Sequence, residues 1–193
     1  MFKKVLAAAA SALLLSAVAY QPAQASWFGG ARTLGAPEIS RTEPKSTTLA
    51  PLAYQIFCLQ NSKECRKAKG PKSVPYSAAL ASKIERVNIS VNRSMKWRQD
   101  EGDLWKIGGA AGDCEDFALT KRSRLIRMGI PAGALRMAVV KTRQGESHAV
   151  LVVRTNKGDL VLDNLKDQVV TREQSSYRWI GIASSDPLKW ELL

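Results

Sequence analysis

The chain has 193 residues, 45% of them hydrophobic and 24% charged, with 29 Lys and Arg against 17 Asp and Glu for a formal charge of +12. That length suits one domain, and the average hydrophobicity excludes a wholly disordered chain. The 13 glycines and 8 prolines exclude a collagen-like or linker composition.

Lys3 and Lys4 precede an almost continuous apolar run from Val5 to Ala19, and Ala23-Gln24-Ala25 supplies a small-x-small pattern. This reads as a secretory signal, residues 1–25, cleaved after Ala25. The run is shorter than the roughly 20 apolar residues that span a bilayer. No later stretch suits a crossing, so the mature chain is expected to be exported without a transmembrane segment. Residues 26–51 carry Gly29-Gly30, Pro37, Pro44, Pro51 and Ser46-Thr47-Thr48 without sustained periodicity, and are expected to form a flexible arm ahead of a domain over 52–193.

Export implies an oxidising compartment in which thiols pair. Cys58 and Cys65 can close a short loop if the chain turns at Asn61-Ser62, which leaves Cys114 as the odd cysteine of three. The basic residues are scattered: Lys63, Arg66, Lys67, Lys69, Lys72, Lys121, Arg122, Arg124 and Arg127 form no aromatic-spaced stripe. A solvated basic surface is expected, and no nucleic-acid partner.

From Ser77, apolar residues Leu80, Ile84, Val87, Val91 and Met95 recur at three- and four-residue steps, predicting an amphipathic helix that ends near Trp97. Trp97 and Trp105 are expected to pack against it, with lining a substrate cleft as the alternative. The glycine-rich Gly108–Gly112 follows. A second helix opens at Asp113, with Cys114, Phe117, Ala118, Leu125 and Met128 facing inward and Lys121, Arg122 and Arg124 outward. Gly129 and Pro131 stop it. The period then switches to two, predicting strands over 135–142, 147–155, 159–163 and 178–183. Helices followed by an antiparallel sheet make an α+β fold.

Gly112-Asp113-Cys114-Glu115-Asp116 places a thiol in the first turn of a helix. Free N–H groups and the helix dipole there stabilise a thiolate and can bind an oxyanion. Any Cys–His mechanism must use His148, the chain's one histidine. Asp163 ends the following strand. If an even-numbered loop joins the two strands, His148 lies opposite Leu165 or Asp167, and Asp163 shares its face. A carboxylate there could accept Nδ1–H and orient the imidazole. The acidic neighbours Asp113, Glu115 and Asp116 oppose thiolate formation. They read either as first-turn and capping residues or as oxygen ligands of a divalent cation such as calcium. Zinc is disfavoured, because one histidine and one free cysteine are too few of its preferred ligands.

In order, Gly-Asp-Cys-Glu-Asp-Phe-Ala with a lysine-bearing helix, Ser-His-Ala-Val-Leu-Val-Val and Leu-Val-Leu-Asp-Asn resemble the bacterial transglutaminase-like cysteine proteinases. Their best-known members are the LapG-type periplasmic proteases that clip large surface adhesins. The resemblance spans roughly 77–182. It implies a papain/transglutaminase-like fold with Cys114 as nucleophile, His148 as general base and Asp163 as its orienting partner. It also implies calcium bound by Asp113 and Glu115, with Asp116 as a further candidate, and control by an inner-membrane receptor. A related acyl transfer, with an amine replacing water, needs the same nucleophile and base. A calcium-stabilised binding module without catalysis is the contrasting possibility.

Overall fold

The computed structural model describes residues 44–193. The expected signal segment and most of the expected arm lie outside them. The end of that arm is ordered into the sheet: Ser46–Leu49 forms β1, which pairs antiparallel with β9, Lys189–Leu192. Pro51 then stands at the N-cap position of α1, Leu52–Gln60. Tyr54, Phe57 and Cys58 are its buried residues.

The Cys58–Cys65 disulfide closes the chain just beyond α1, with a Cα–Cα separation of 5.4 Å. A loop this short restricts the unfolded chain by about 2 to 3 kcal/mol. Replacing both cysteines with serine should lower stability by that amount in urea titrations. Glu64, inside the loop, accepts from Arg122 at 3.0 Å and from the Ser123 hydroxyl at 3.2 Å.

The stripe expected from Ser77 forms α2, Ala78–Ser94, and the Ser77 hydroxyl accepts the Leu80 N–H at 3.1 Å as an N-cap. Its buried residues include Leu80, Ile84, Val87 and Val91. Two short strands that the sequence pattern did not reveal, β2 (Lys96–Trp97) and β3 (Ala111–Gly112), pair in parallel on either side of the intervening loop. They hold residues 98–100 beside the start of α3, Cys114–Arg127. Gly112 is required there, because a Cβ would lie 2.2 Å from Asp116 Oδ2.

Beyond α3 come β4 (Leu135–Lys141), β5 (Ser147–Thr155), β6 (Gly158–Asp163), β7 (Lys166–Thr171) and β8 (Arg178–Ala183). With β1 and β9 they form an antiparallel sheet in the order β1-β9-β8-β4-β5-β6-β7. One core cluster joins α1, α2 and α3 to Met137, Leu151, Val153 and Leu162 of the sheet. Ala138, Val140, Val150, Val152, Val161 and Ile182 form a second cluster, and the alternation of strand residues assigns it to the opposite sheet face.

Helix α3 departs from its expected two-sided character. Lys121 and Arg122 are buried, whereas Met128 is exposed. The helix is packed against β5 and α2, while Glu64 covers it from the disulfide loop. Lys121 and Arg122 are therefore enclosed, while Arg127 in the last turn stays exposed. Among the described residues, no helix is long and apolar enough to cross a membrane.

Candidate active site

A two-residue turn joins β5 to β6, with Thr155 opposite Gly158, so the loop is even. The ladder runs to Leu151 opposite Leu162 and stops. Two residues past that last pair, the Ala149 N–H donates to Cys114 Sγ at 3.3 Å instead of to a strand. The N-terminus of α3 is thus seated where β5 and β6 part.

His148 and Asp163 meet in this fork: Nε2 lies 2.8 Å from Asp163 Oδ1. The nitrogen that faces the carboxylate is Nε2 rather than the Nδ1 expected from the sequence, which leaves Nδ1 on the opposite edge of the ring. His148, Asp163 and Glu115 are buried, and Cys114 is half-buried. Cys114 and His148 line one cleft of about 770 Å³, together with Trp97, Trp105, Asn164 and Leu165.

Asp163 is also held by two groups that spacing did not suggest. Its Oδ1 accepts the Leu165 N–H at 2.9 Å, and its Oδ2 accepts the Tyr177 hydroxyl. Burial alone would raise the Asp163 carboxyl. The hydrogen bond and charge of His148, with the Tyr177 and Leu165 donors, outweigh burial and hold it below its usual value. Tyr177 is pushed up, first by burial and then by the carboxylate it contacts.

The three acidic neighbours of Cys114 separate. Asp113 stands at the N-cap position, yet its side chain makes no capping bond. Its Oδ1 is buried without a hydrogen-bond partner among the described residues. It gathers instead with Glu115 and with Asp100, a residue the sequence reading missed; one oxygen of each carboxylate lies within 4.8 Å of the others. Asp116 does not join them. Its Oδ1 accepts the Lys106 N–H at 2.8 Å and its Oδ2 pairs with Lys106 Nζ at 3.0 Å, which fastens the 100–112 loop onto α3. Lys106 Nζ also reaches Asp100 Oδ2 at 3.2 Å. Helical rotation of about 100° per residue explains why Asp116 faces away from Glu115.

Crowded carboxylates and burial leave a clear electrostatic mark. Burial, then the negative charge of Asp113, pushes Glu115 up to about 8, although donation from Cys114 at 3.1 Å works the other way. The Cys114 thiol is pushed up to about 12, by burial first and then by Glu115, against the favourable Ala149 N–H. A hard divalent cation fits this all-oxygen set of Asp100, Asp113 and Glu115, and its charge opposes the influence that suppresses the thiolate.

Trp97 is 63% exposed on the cleft rim, because the β2–β3 pairing carries it off α2 rather than packing it there. Trp105 is buried, with its ring centroid 5.2 Å from that of Tyr54 in α1.

Helices ending on an antiparallel sheet, with the helix-terminal thiol at the junction, define a transglutaminase-like α+β fold. The chain belongs to the bacterial transglutaminase-like cysteine proteinases (BTLCP), whose family profile matches residues 44–193. It is a cysteine protease, and its substrate is protein. Among solved structures it is similar to calcium-bound LapG of Legionella pneumophila, at 20% identity and a TM-score of 0.53, covering 74% of this chain and 81% of that one. Another LapG structure from Legionella pneumophila gives 20% identity and a TM-score of 0.52, over 74% and 79% of the two chains. At that identity the likeness establishes the shared fold. No curated protein matches the chain.

Proposed function

We propose that the protein is a calcium-dependent endopeptidase of the periplasm, with Cys114 as nucleophile, His148 as general base and Asp163 as the carboxylate that orients the imidazole. The observation that carries this reading is the 2.8 Å contact between His148 Nε2 and Asp163 Oδ1, next to a thiol that receives the Ala149 N–H.

In this reaction His148 removes the Cys114 proton through Nδ1, and the thiolate attacks the peptide carbonyl carbon. Backbone N–H groups at the start of α3 receive the developing oxyanion. As the C–N bond breaks, the imidazolium passes its proton to the leaving amine. Water, deprotonated by the same imidazole, then cleaves the thioester and returns the thiol. Asp163 keeps its negative charge throughout and holds the ring.

Asp100, Asp113 and Glu115 would hold the calcium. Bound there, the ion supplies positive charge that neutralises the carboxylates flanking the nucleophile. The calcium-bound form of the LapG fold relative supports this reading. The signal-like first 25 residues and the disulfide support export. The resemblance to adhesin-clipping enzymes makes a large surface adhesin the expected substrate and an inner-membrane receptor the expected regulator.

The deciding experiment is mild iodoacetamide labelling of the mature protein at pH 6, followed by mass spectrometry. An ordinary thiol, with a pKa of about 8.5, reacts slowly there. With calcium, Cys114 should label rapidly; with EGTA, at least tenfold more slowly. Glu115→Gln should weaken calcium binding in a direct titration. Equal, slow labelling in both conditions would overturn the reading. In peptide digests, incorporation of an added primary amine in place of water would assign acyl transfer instead.

A further inference from the structure

We infer that Tyr177 is a positioning residue of this protease, acting on the reaction through Asp163 and His148. The inference rests on the triad proposed above, and it assigns work to a residue lying 14 positions beyond Asp163 in sequence.

A carboxylate that orients a histidine must itself be prevented from rotating, since its two oxygens exchange by a half-turn about the Cβ–Cγ bond. In this structure the two oxygens have different partners. Oδ1 accepts from the Leu165 N–H and faces His148 Nε2, and Oδ2 takes the Tyr177 hydroxyl. Tyr177 is the side chain holding the second oxygen, so the plane of the carboxylate is fixed from both ends.

The aromatic ring serves the imidazole as well. Its centroid is 5.7 Å from that of His148, tilted by 54°. Tyr177 also packs against the core cluster that carries Val150, two residues from His148 in β5. One side chain thereby limits the motion of both partners in the His148–Asp163 contact. Local backbone geometry delivers it there. Ser176 adopts a left-handed conformation (φ 57°), which turns the chain just before Tyr177 and β8. Ser176 Oγ accepts from Arg143 at 3.2 Å, tying the turn to the segment after β4.

The hydroxyl is the part to remove. Tyr177→Phe keeps the ring and deletes the hydrogen bond to Asp163. In the full mature chain with calcium, the second-order rate of Cys114 alkylation by iodoacetamide should fall by roughly 10- to 100-fold, well short of the loss expected for His148 itself. Peptide cleavage should fall through kcat, with KM nearly unchanged, because Tyr177 is not among the residues lining the cleft.

A purely structural role would not alter the imidazole signal. As the chain has one histidine, its ring N–H can be followed by proton NMR without ambiguity. In the parent protein the N–H bonded to Asp163 should resonate far downfield and exchange slowly with water. In Tyr177→Phe it should exchange fast or vanish while the thermal midpoint stays close to the parent's. Tyr177→Trp, which returns a donor N–H to the ring, should recover part of the rate, and it serves as the second variant if Phe is poorly tolerated.

An unchanged alkylation rate together with an unchanged N–H signal in Tyr177→Phe would overturn the inference and leave the triad standing. If Cys114 of the parent protein reacts no faster than an ordinary thiol, the triad and this inference fall together.

Discussion

His148→Gln should reduce peptide-bond cleavage by about 10⁴-fold or more, and Cys114→Ala should bring it to background. Both variants should keep the fold and calcium binding. The size of the expected loss follows from the starting state of the thiol. Burial and Glu115 push Cys114 up to about 12. At neutral pH such a thiol presents almost no thiolate by itself. It becomes a nucleophile only when a base takes its proton and positive charge offsets its carboxylate neighbours. His148 is the chain's only imidazole, and Asp163 holds it at 2.8 Å, so no other histidine can take over. Mass-spectrometric digestion of a peptide library would measure both variants. Retention of more than a tenth of parental activity in His148→Gln would mean that Cys114 is activated by another route.

The second large effect is on stability. Lys121 is fully buried in α3, and its ammonium has no hydrogen-bond partner among the described residues. Burial pushes it down to about 7, against the favourable charges of Asp163 and Asp167. Its ring contact, with Nζ 5.9 Å from the Phe117 centroid, is weak compensation. Because the folded value lies below the unfolded one of about 10.4, the unfolded chain binds the extra proton between them. This penalty is therefore present in full below pH 7 and is relieved as pH rises toward 10. The slope is up to about 1.4 kcal/mol per pH unit, accumulating to roughly 3 to 5 kcal/mol.

Lys121→Met should accordingly be more stable than the parent at neutral pH, because it removes the cost of burying an unpaired charge. The advantage should shrink steadily up to pH 10. Urea-unfolding midpoints of the two proteins at pH 7, 8, 9 and 10 would check this. A difference that stays constant with pH would mean that Lys121 is not titrating in the fold.

Much of the architecture was legible because local signals suffice for it. The three- and four-residue apolar steps after Ser77 specify α2, and Gly129 with Pro131 ends α3. Alternation marked β4, β5, β6 and β8, which bury side chains. It failed for β7 and β1, whose exposed or half-buried edge positions carry little pattern. Spacing placed His148 and Asp163 on one face only on the condition of an even loop, and the two-residue turn between β5 and β6 meets that condition.

Residues that meet only because distant segments pack together were out of reach. Asp100 sits in a polar stretch, Gln99-Asp100-Glu101, whose relation to Asp113 depends on the two-residue pairing of β2 with β3. Tyr177 depends on the turn at Ser176 and on a sheet in which β8 lies beside β4. The ring nitrogen turned toward Asp163 and the separation of Asp116 from Glu115 are likewise settled by packing. So is the burial of Lys121 and Arg122, which lie on a helix covered by α2, β5 and the Glu64 loop.

The sequence by itself thus determined α2, α3 and the strands β4, β5, β6 and β8, the disulfide pairing available to Cys58 and Cys65, and the types of group that carry chemistry. Those are properties of neighbours along the chain, governed by periodicity, capping and chemical identity. Only the tertiary structure decided which oxygens and nitrogens face one another, because hydrogen bonds and charge clusters act over a few ångströms that sequence distance does not measure.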